Sequence, residues 1–181
     1  VRLPRCQAVV SSDYRPEHVI KKGASAMFEV LVYLFENYLE ANIRPDHGTL
    51  TRELSAAGFE PDDIEQAVNW LSTLEDMSHQ ADAQSAHDTS TGWRMYVEEE
   101  ALKLSEESRG FLMFLEQAGV MLPHQRELVI DRAMALPNTP VGLEEIKWIV
   151  LMTLWNQGKG KANDYLFISD AIFSEMQPTL H

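Results

Sequence analysis

Cys6 is the single cysteine of the chain. One thiol cannot close an internal disulfide, and without a Cys-x-x-Cys pair there is no cysteine-based zinc set. Such usage suits a reducing compartment, so a cytoplasmic setting is expected. Long apolar runs are missing too: none approaches the roughly 20 residues that a membrane-spanning helix needs. Residues 1–26 lack the apolar core of a signal peptide. Basic residues are scarce, 15 Lys and Arg against 28 Asp and Glu, for a net charge of −13. The only dense basic spots, Lys21-Lys22 and Lys159-Gly160-Lys161, are short. An acidic surface repels phosphates and anionic headgroups, so direct binding to nucleic acid or to a membrane surface is not expected.

Catalytic signatures are absent. The chain has no G-x-x-x-x-G-K-[ST] or G-x-G-x-x-G loop to cradle phosphate, no H-E-x-x-H and no G-x-S-x-G. His18, His47, His79, His87, His124 and His181 are scattered. Asp62-Asp63 fits the first turn of a helix better than a metal or acid–base pair. His79 and His87, with Asp82 and Asp88, lie on a polar segment that would not preorganise a ligand set. Cys6 has no ordered electropositive setting to activate it. No catalytic, cofactor-binding or metal-binding residue is therefore assigned, no cofactor is expected, and an enzyme is not expected.

What is present is apolar periodicity. With 45% hydrophobic residues the chain can bury a sizeable core. Phe28, Leu31, Val32, Phe35, Tyr38 and Leu39 share one helical face, and Val30 and Leu34 widen it, which suggests a central helix. Arg44-Pro45-Asp46 breaks the chain, with Asp46 a candidate cap for a helix that turns Leu50, Leu54 and Ala57 inward. Gly58 supplies a stop and Pro61 a start. Ile64, Ala67, Val68, Leu71 and Leu74 carry the third helix, with Trp70 on its flank. These helices could outline a helix-turn-helix, but the third carries Asp62, Asp63, Glu65 and Glu75 and no basic residue, so groove insertion is not expected.

Asp76 to Gly92 reads as a polar linker. Trp93 to Val97 alternates, which predicts a short extended piece with Trp93, Met95 and Val97 against the helices. Glu98 opens a helical turn through Leu104. Ser105 is expected to cap a helix whose face is Phe111, Phe114, Leu115 and Ala118. Leu128, Val129, Ala133 and Leu136 define the next helix, and Pro137-Asn138-Thr139-Pro140 ends it. Ile146, Ile149, Val150, Thr153 and Leu154 carry another, with Trp148 and Trp155 alongside, until Gly158 and Gly160. Residues 163–173 suffice for a final helix. The fold class expected is all-α, about seven helices in two small three-helix-type units. Residues 27–76 form the first unit, 77–92 the polar linker and 93–181 the second helical unit.

Residues 1–26 have no period and read as a flexible tail or as untranslated leader. Val1 is an unusual first residue, Met27 opens the periodic sequence, and codons for Lys22-Gly23-Ala24 can spell a ribosome-binding site before it. Phe28-x-x-Leu31-Val32 and Asp62-Asp63-Ile64-x-x-Ala67-Val68 correspond to Phe111-x-x-Phe114-Leu115 and Glu144-Glu145-Ile146-x-x-Ile149-Val150. An internal duplication would give these matches. So would generic amphipathic helices, and the middle helices do not align.

The stretch Met27-Phe28-Glu29-Val30-Leu31-Val32-Tyr33-Leu34-Phe35-Glu36-Asn37-Tyr38 resembles the bacterial Smg family. The likeness continues through Ala57-Gly58-Phe59, Asp63-Ile64, Trp70-Leu71, Arg109 to Gln117, Glu127 to Ile130, Lys147 to Met152 and the closing Leu180-His181. It covers Met27 to His181, and the resemblance implies a start at the Met27 equivalent. It carries no catalytic residues over and implies little about activity, since the family takes its name from gene neighbourhood beside a DNA-processing protein of natural transformation. Two functions follow as expectations. The first is a protein–protein interaction module with a protein partner or self-association. The alternative is an accessory factor in DNA processing or transformation that contacts DNA directly.

Overall fold

The computed structural model describes residues 25–39, 47–84, 94–137 and 140–157. Among them are seven α-helices and no named strand: α1 Ala26–Leu34, α2 His47–Ala56, α3 Pro61–Gln84, α4 Glu98–Lys103, α5 Glu106–Gln117, α6 Pro123–Met134 and α7 Leu143–Gln157. The fold is all-α. A π-helical turn, Phe35–Leu39, continues α1. No described helix is long and apolar enough to cross a membrane. The tail 1–24, Asp46, the stretch 85–93 with Trp93, and the final helix expected at 163–173 lie outside the described residues.

α1 lies along α3. α3 in turn packs on α6 and α7, which pack on each other, while α5 closes over α6 and α7. Met27, Phe28, Val30, Leu31, Val32, Leu34 and Phe35 are all buried, as the breadth of that apolar run predicts. α7 is covered almost all round, with Ile146 and every residue from Trp148 to Leu154 buried. Phe35 sits edge-on to both Trp148 and Trp155, at 6.1 and 6.0 Å between ring centroids. Residues of both halves thus belong to one hydrophobic core.

Local signals set most of the helix ends. Gly58 has φ +98° after α2 and Gly119 has φ +70° after α5, conformations that a Cβ disfavours. Pro61 and Pro123 stand at the first positions of α3 and α6. Ser105 Oγ accepts from the Ser108 N–H at 3.1 Å, as expected of a cap.

Four expectations need correction. Asp76 to Gln84 is not linker: α3 runs on through it. Met77 packs against the core, Ser78 is buried, and the Ser78 hydroxyl donates to Leu74 O at 2.8 Å while accepting from Asn156 Nδ2 at 3.0 Å. A polar composition hid a helix that meets the core through Met77 and through Ser78, whose buried hydroxyl is satisfied by its own helix and by Asn156 of α7. Trp70 is not on a flank but buried, and Ala57 is exposed in the turn before Gly58. The inward face of α5 is Ser108, Leu112 and Leu115, not Phe114 and Ala118, both of which are exposed.

Three α-helices are described in the first half and four in the second, and Phe28 is fully buried while Phe111, which matches it in the sequence comparison, is only partly so.

Candidate interaction surface

Residues 94–97 run without regular structure into α4. The expected facing is reversed. Met95 is 86% exposed and Val97 58%, whereas Arg94 and Tyr96 turn inward. Charge decides this. Arg94 donates from Nη1 and Nη2 to the Glu100 carboxylate at 2.6 and 2.7 Å. Its Nε donates to the Glu127 carboxylate at 2.8 Å. Its guanidinium also lies 4.8 Å from the Tyr96 ring centroid, with Arg109 of α5 5.8 Å away from the same ring. A bidentate guanidinium–carboxylate pair with a stacked aromatic outweighs the burial of two medium apolar side chains.

The network continues. Arg126 donates to Glu127 at 2.8 Å and to Glu116 of α5. Hydrogen bonds from Arg94 hold the Glu100 carboxyl below its usual range against the opposing effect of burial, and the Val97 N–H adds to them. For Glu127 burial pushes upward, but the bonds from Arg94 and Arg126 outweigh it and leave the carboxyl low. Burial pushes the Tyr96 hydroxyl above its ordinary value, although Arg94 and Arg126 pull against it.

This network ties the first turns of α4 and α6 together. Both helices begin on an exposed apolar residue, Val97 for α4 and Leu122 for α6, and neither has a side-chain cap bond. Their backbones have the extended conformation that a capping Ser or Asp adopts, with φ/ψ of −72/162° and −85/157°. The N-cap amides are bonded from the other direction: Val97 N–H to Glu100 at 3.1 Å and Leu122 N–H to Gln125 at 2.7 Å. A hydroxyl or carboxylate at either position would satisfy a further helix amide, typically worth about 0.5–2 kcal/mol. Val97→Ser and Leu122→Ser are accordingly expected to raise folding stability by about 0.5–1 kcal/mol each, measured as an upward shift of the urea midpoint at unchanged slope.

More apolar surface is exposed on the neighbouring elements. Leu102 of α4 is 70% exposed, Leu122 is 54%, and Met113 and Phe114 of α5 and Val120 in the following turn are also open. Gly110, one turn before Phe114, leaves open space beside it on the outside of α5. The opposite joint is sealed. Leu104 pairs with Val141 in an isolated parallel bridge, Val141 N–H donates to Lys103 O at 2.7 Å, and Lys103 Nζ donates to Met134 O and Leu136 O at 2.6 and 2.5 Å. α4 and α5 are thus fixed to the core while their outer apolar residues face water.

Asp62 and Asp63 occupy the first turn of α3 as expected. His79 and His124 stand on separate helices, and no group of three potential metal ligands occurs among the described residues. His18, His87, Asp88, His181 and Cys6 lie outside them. The exposed apolar residues were not singled out in the sequence because they follow the same spacing as core residues. The one available signal was an apolar residue directly before a helix start where Ser, Thr, Asp or Asn is usual.

The fold and this surface define a small acidic all-α protein with an apolar, ion-pair-braced face. The family model described as "Protein of unknown function (DUF494)" matches residues 27–181. A Smg homolog from Methylobacillus flagellatus is 60% identical over 155 residues, 86% of this chain and all of the relative. Protein Smg from Serratia proteamaculans is 44% identical over 158 residues, 86% of this chain and all of that protein. A Smg homolog from Herminiimonas arsenicoxydans is 44% identical over 149 residues, 80% of this chain and 94% of the relative. The chain belongs to the bacterial Smg family. No solved structure matches it.

Proposed function

We propose that this protein is a non-enzymatic protein–protein interaction module that binds through the face formed by residues 95–97, α4, the outer side of α5 and the start of α6. The observation that carries the proposal is the pair of exposed apolar residues, Val97 and Leu122, at helix caps where polar residues stabilise more. A surface that gives up folding stability for exposed apolar area is what a binding site selects. The brace around Arg94 supports it further, because a preorganised face loses less entropy on binding.

The test is crosslinking affinity purification from native cells, run with the natural chain and with a Met95→Ser/Leu102→Ser variant. Both positions are exposed, so the variant should keep the natural thermal midpoint. Discrete proteins recovered with the natural chain and lost with the variant are expected. The same proteins recovered with both would overturn the assignment. The DNA-contacting alternative predicts salt-sensitive binding. No basic surface among the described residues favours it: Arg94 and Arg126 are committed to carboxylates and Lys103 to carbonyls. A flat anisotropy titration with labelled duplex and single-stranded DNA at low salt is the expected result.

A further inference from the structure

We infer that the partner presents a cationic, amphipathic segment to this face, with apolar side chains flanked by Lys or Arg, rather than a second copy of the chain. The inference rests on the interaction-surface proposal above and deepens it through charge. On the candidate face the two signs are treated differently. The cations are used internally: Arg94 bridges Glu100 and Glu127, Arg126 bridges Glu116 and Glu127, Arg109 lies over Tyr96, and Lys103 is held by the carbonyls at the end of α6.

The acids at the rim are not used. Glu98 and Glu99, directly after Val97, and Glu106 and Glu107 at the start of α5 are exposed and have no ion-pair partner among the described residues. Leu102 lies between the two acid pairs in sequence and is strongly exposed. On α4 helical spacing places Glu98 and Glu99 beside Leu102, and on α5 Glu107 shares a face with Phe114, so exposed apolar side chains are rimmed by carboxylates, which selects a partner carrying the opposite charge around its own apolar residues. A second copy would bring like carboxylates together, on a chain whose net charge is already −13.

The experiment uses the full chain and three labelled model peptides with one amphipathic leucine pattern, their polar positions filled by lysine, glutamine or glutamate. Fluorescence anisotropy reads binding. The lysine peptide should bind on the order of tenfold or more tighter than the glutamine peptide, and the glutamate peptide weakest. Substituting Glu98, Glu99, Glu106 and Glu107 by glutamine should weaken lysine-peptide binding by on the order of tenfold. An equal loss of charge on α3 and its approach, at Glu60, Asp62, Glu65 and Asp76, should change it by less than about twofold. Leu102→Ser should weaken all binding.

Equal effects of the two charge-removal sets would mean bulk attraction and overturn the inference. A glutamine peptide that binds as tightly as the lysine peptide, and loses binding with Leu102→Ser, would overturn the cationic partner while leaving the interaction surface standing. Binding of any peptide that ignores Leu102→Ser would count against the surface itself, and binding of none would overturn the inference. Sedimentation equilibrium provides the last arm: a dimer dispersed by Leu102→Glu would make a second copy the occupant and overturn the inference.

Discussion

Trp70→Ala is expected to cost about 3–5 kcal/mol of folding stability, a large share of the 5–15 kcal/mol typical of a domain. Trp70 is buried between α3 and α6, and its indole N–H donates to Arg132 O at 3.0 Å. That carbonyl lies in the last turn of α6, where helix carbonyls lack intrahelical partners. The Arg132 guanidinium also sits 5.9 Å from the ring centroid. Alanine would therefore remove the ring, leave a cavity between the helices and orphan the carbonyl. Trp70→Phe separates these effects. It keeps most of the apolar volume but not the donor, and should cost about 1–3 kcal/mol. Urea unfolding followed by far-UV circular dichroism measures both. If both variants lost less than about 1 kcal/mol, the contact between α3 and α6 would not be as described.

Arg94→Gln should cost about 1–3 kcal/mol near neutral pH, since it removes charge-assisted hydrogen bonds to two carboxylates at once. Glu127 is about half exposed and contributes the smaller, screened share, whereas the Glu100 side chain is only 14% exposed. The pH dependence identifies the cause. Glu100 and Glu127 are held below the ordinary carboxylate range in the folded chain. Each therefore adds stability that is present above the unfolded value, about 4.3 for Glu, and is lost as pH falls through the lower folded value. The gap between the natural chain and Arg94→Gln should stay constant from neutral pH to about 5 and close below about 4. A gap that persists in acid would point to lost packing on Tyr96 instead. Arg94→Gln should also loosen residues 95–97 and weaken binding at the proposed face, although Arg94 itself is turned inward.

Much of the fold was legible because it depends on local chemistry. Gly58, Pro61 and Ser105 mark helix ends through backbone conformation and capping, and each does so in the structure. The apolar breadth of the run from Met27 announced a helix covered on several sides, and six of the nine residues of α1 are buried. The errors share one cause. The burial of Trp70, the exposure of Phe114 and the helix from Asp76 to Gln84 depend on which neighbour is present, and periodicity does not report neighbours. Ser78 needed Asn156, seventy-eight positions away, before its segment made sense as packed helix.

The sequence alone therefore determined the class of fold, its acidity and the positions of most helix starts and stops. Tertiary structure alone decided which apolar residues are core and which are surface. Met95 and Val97 show why. They alternate with Arg94 and Tyr96, so one pair must face inward. Alternation by itself favours burying the apolar pair, and the bidentate pairing of Arg94 with Glu100, joined by Glu127 arriving from α6, makes the other facing lower in free energy.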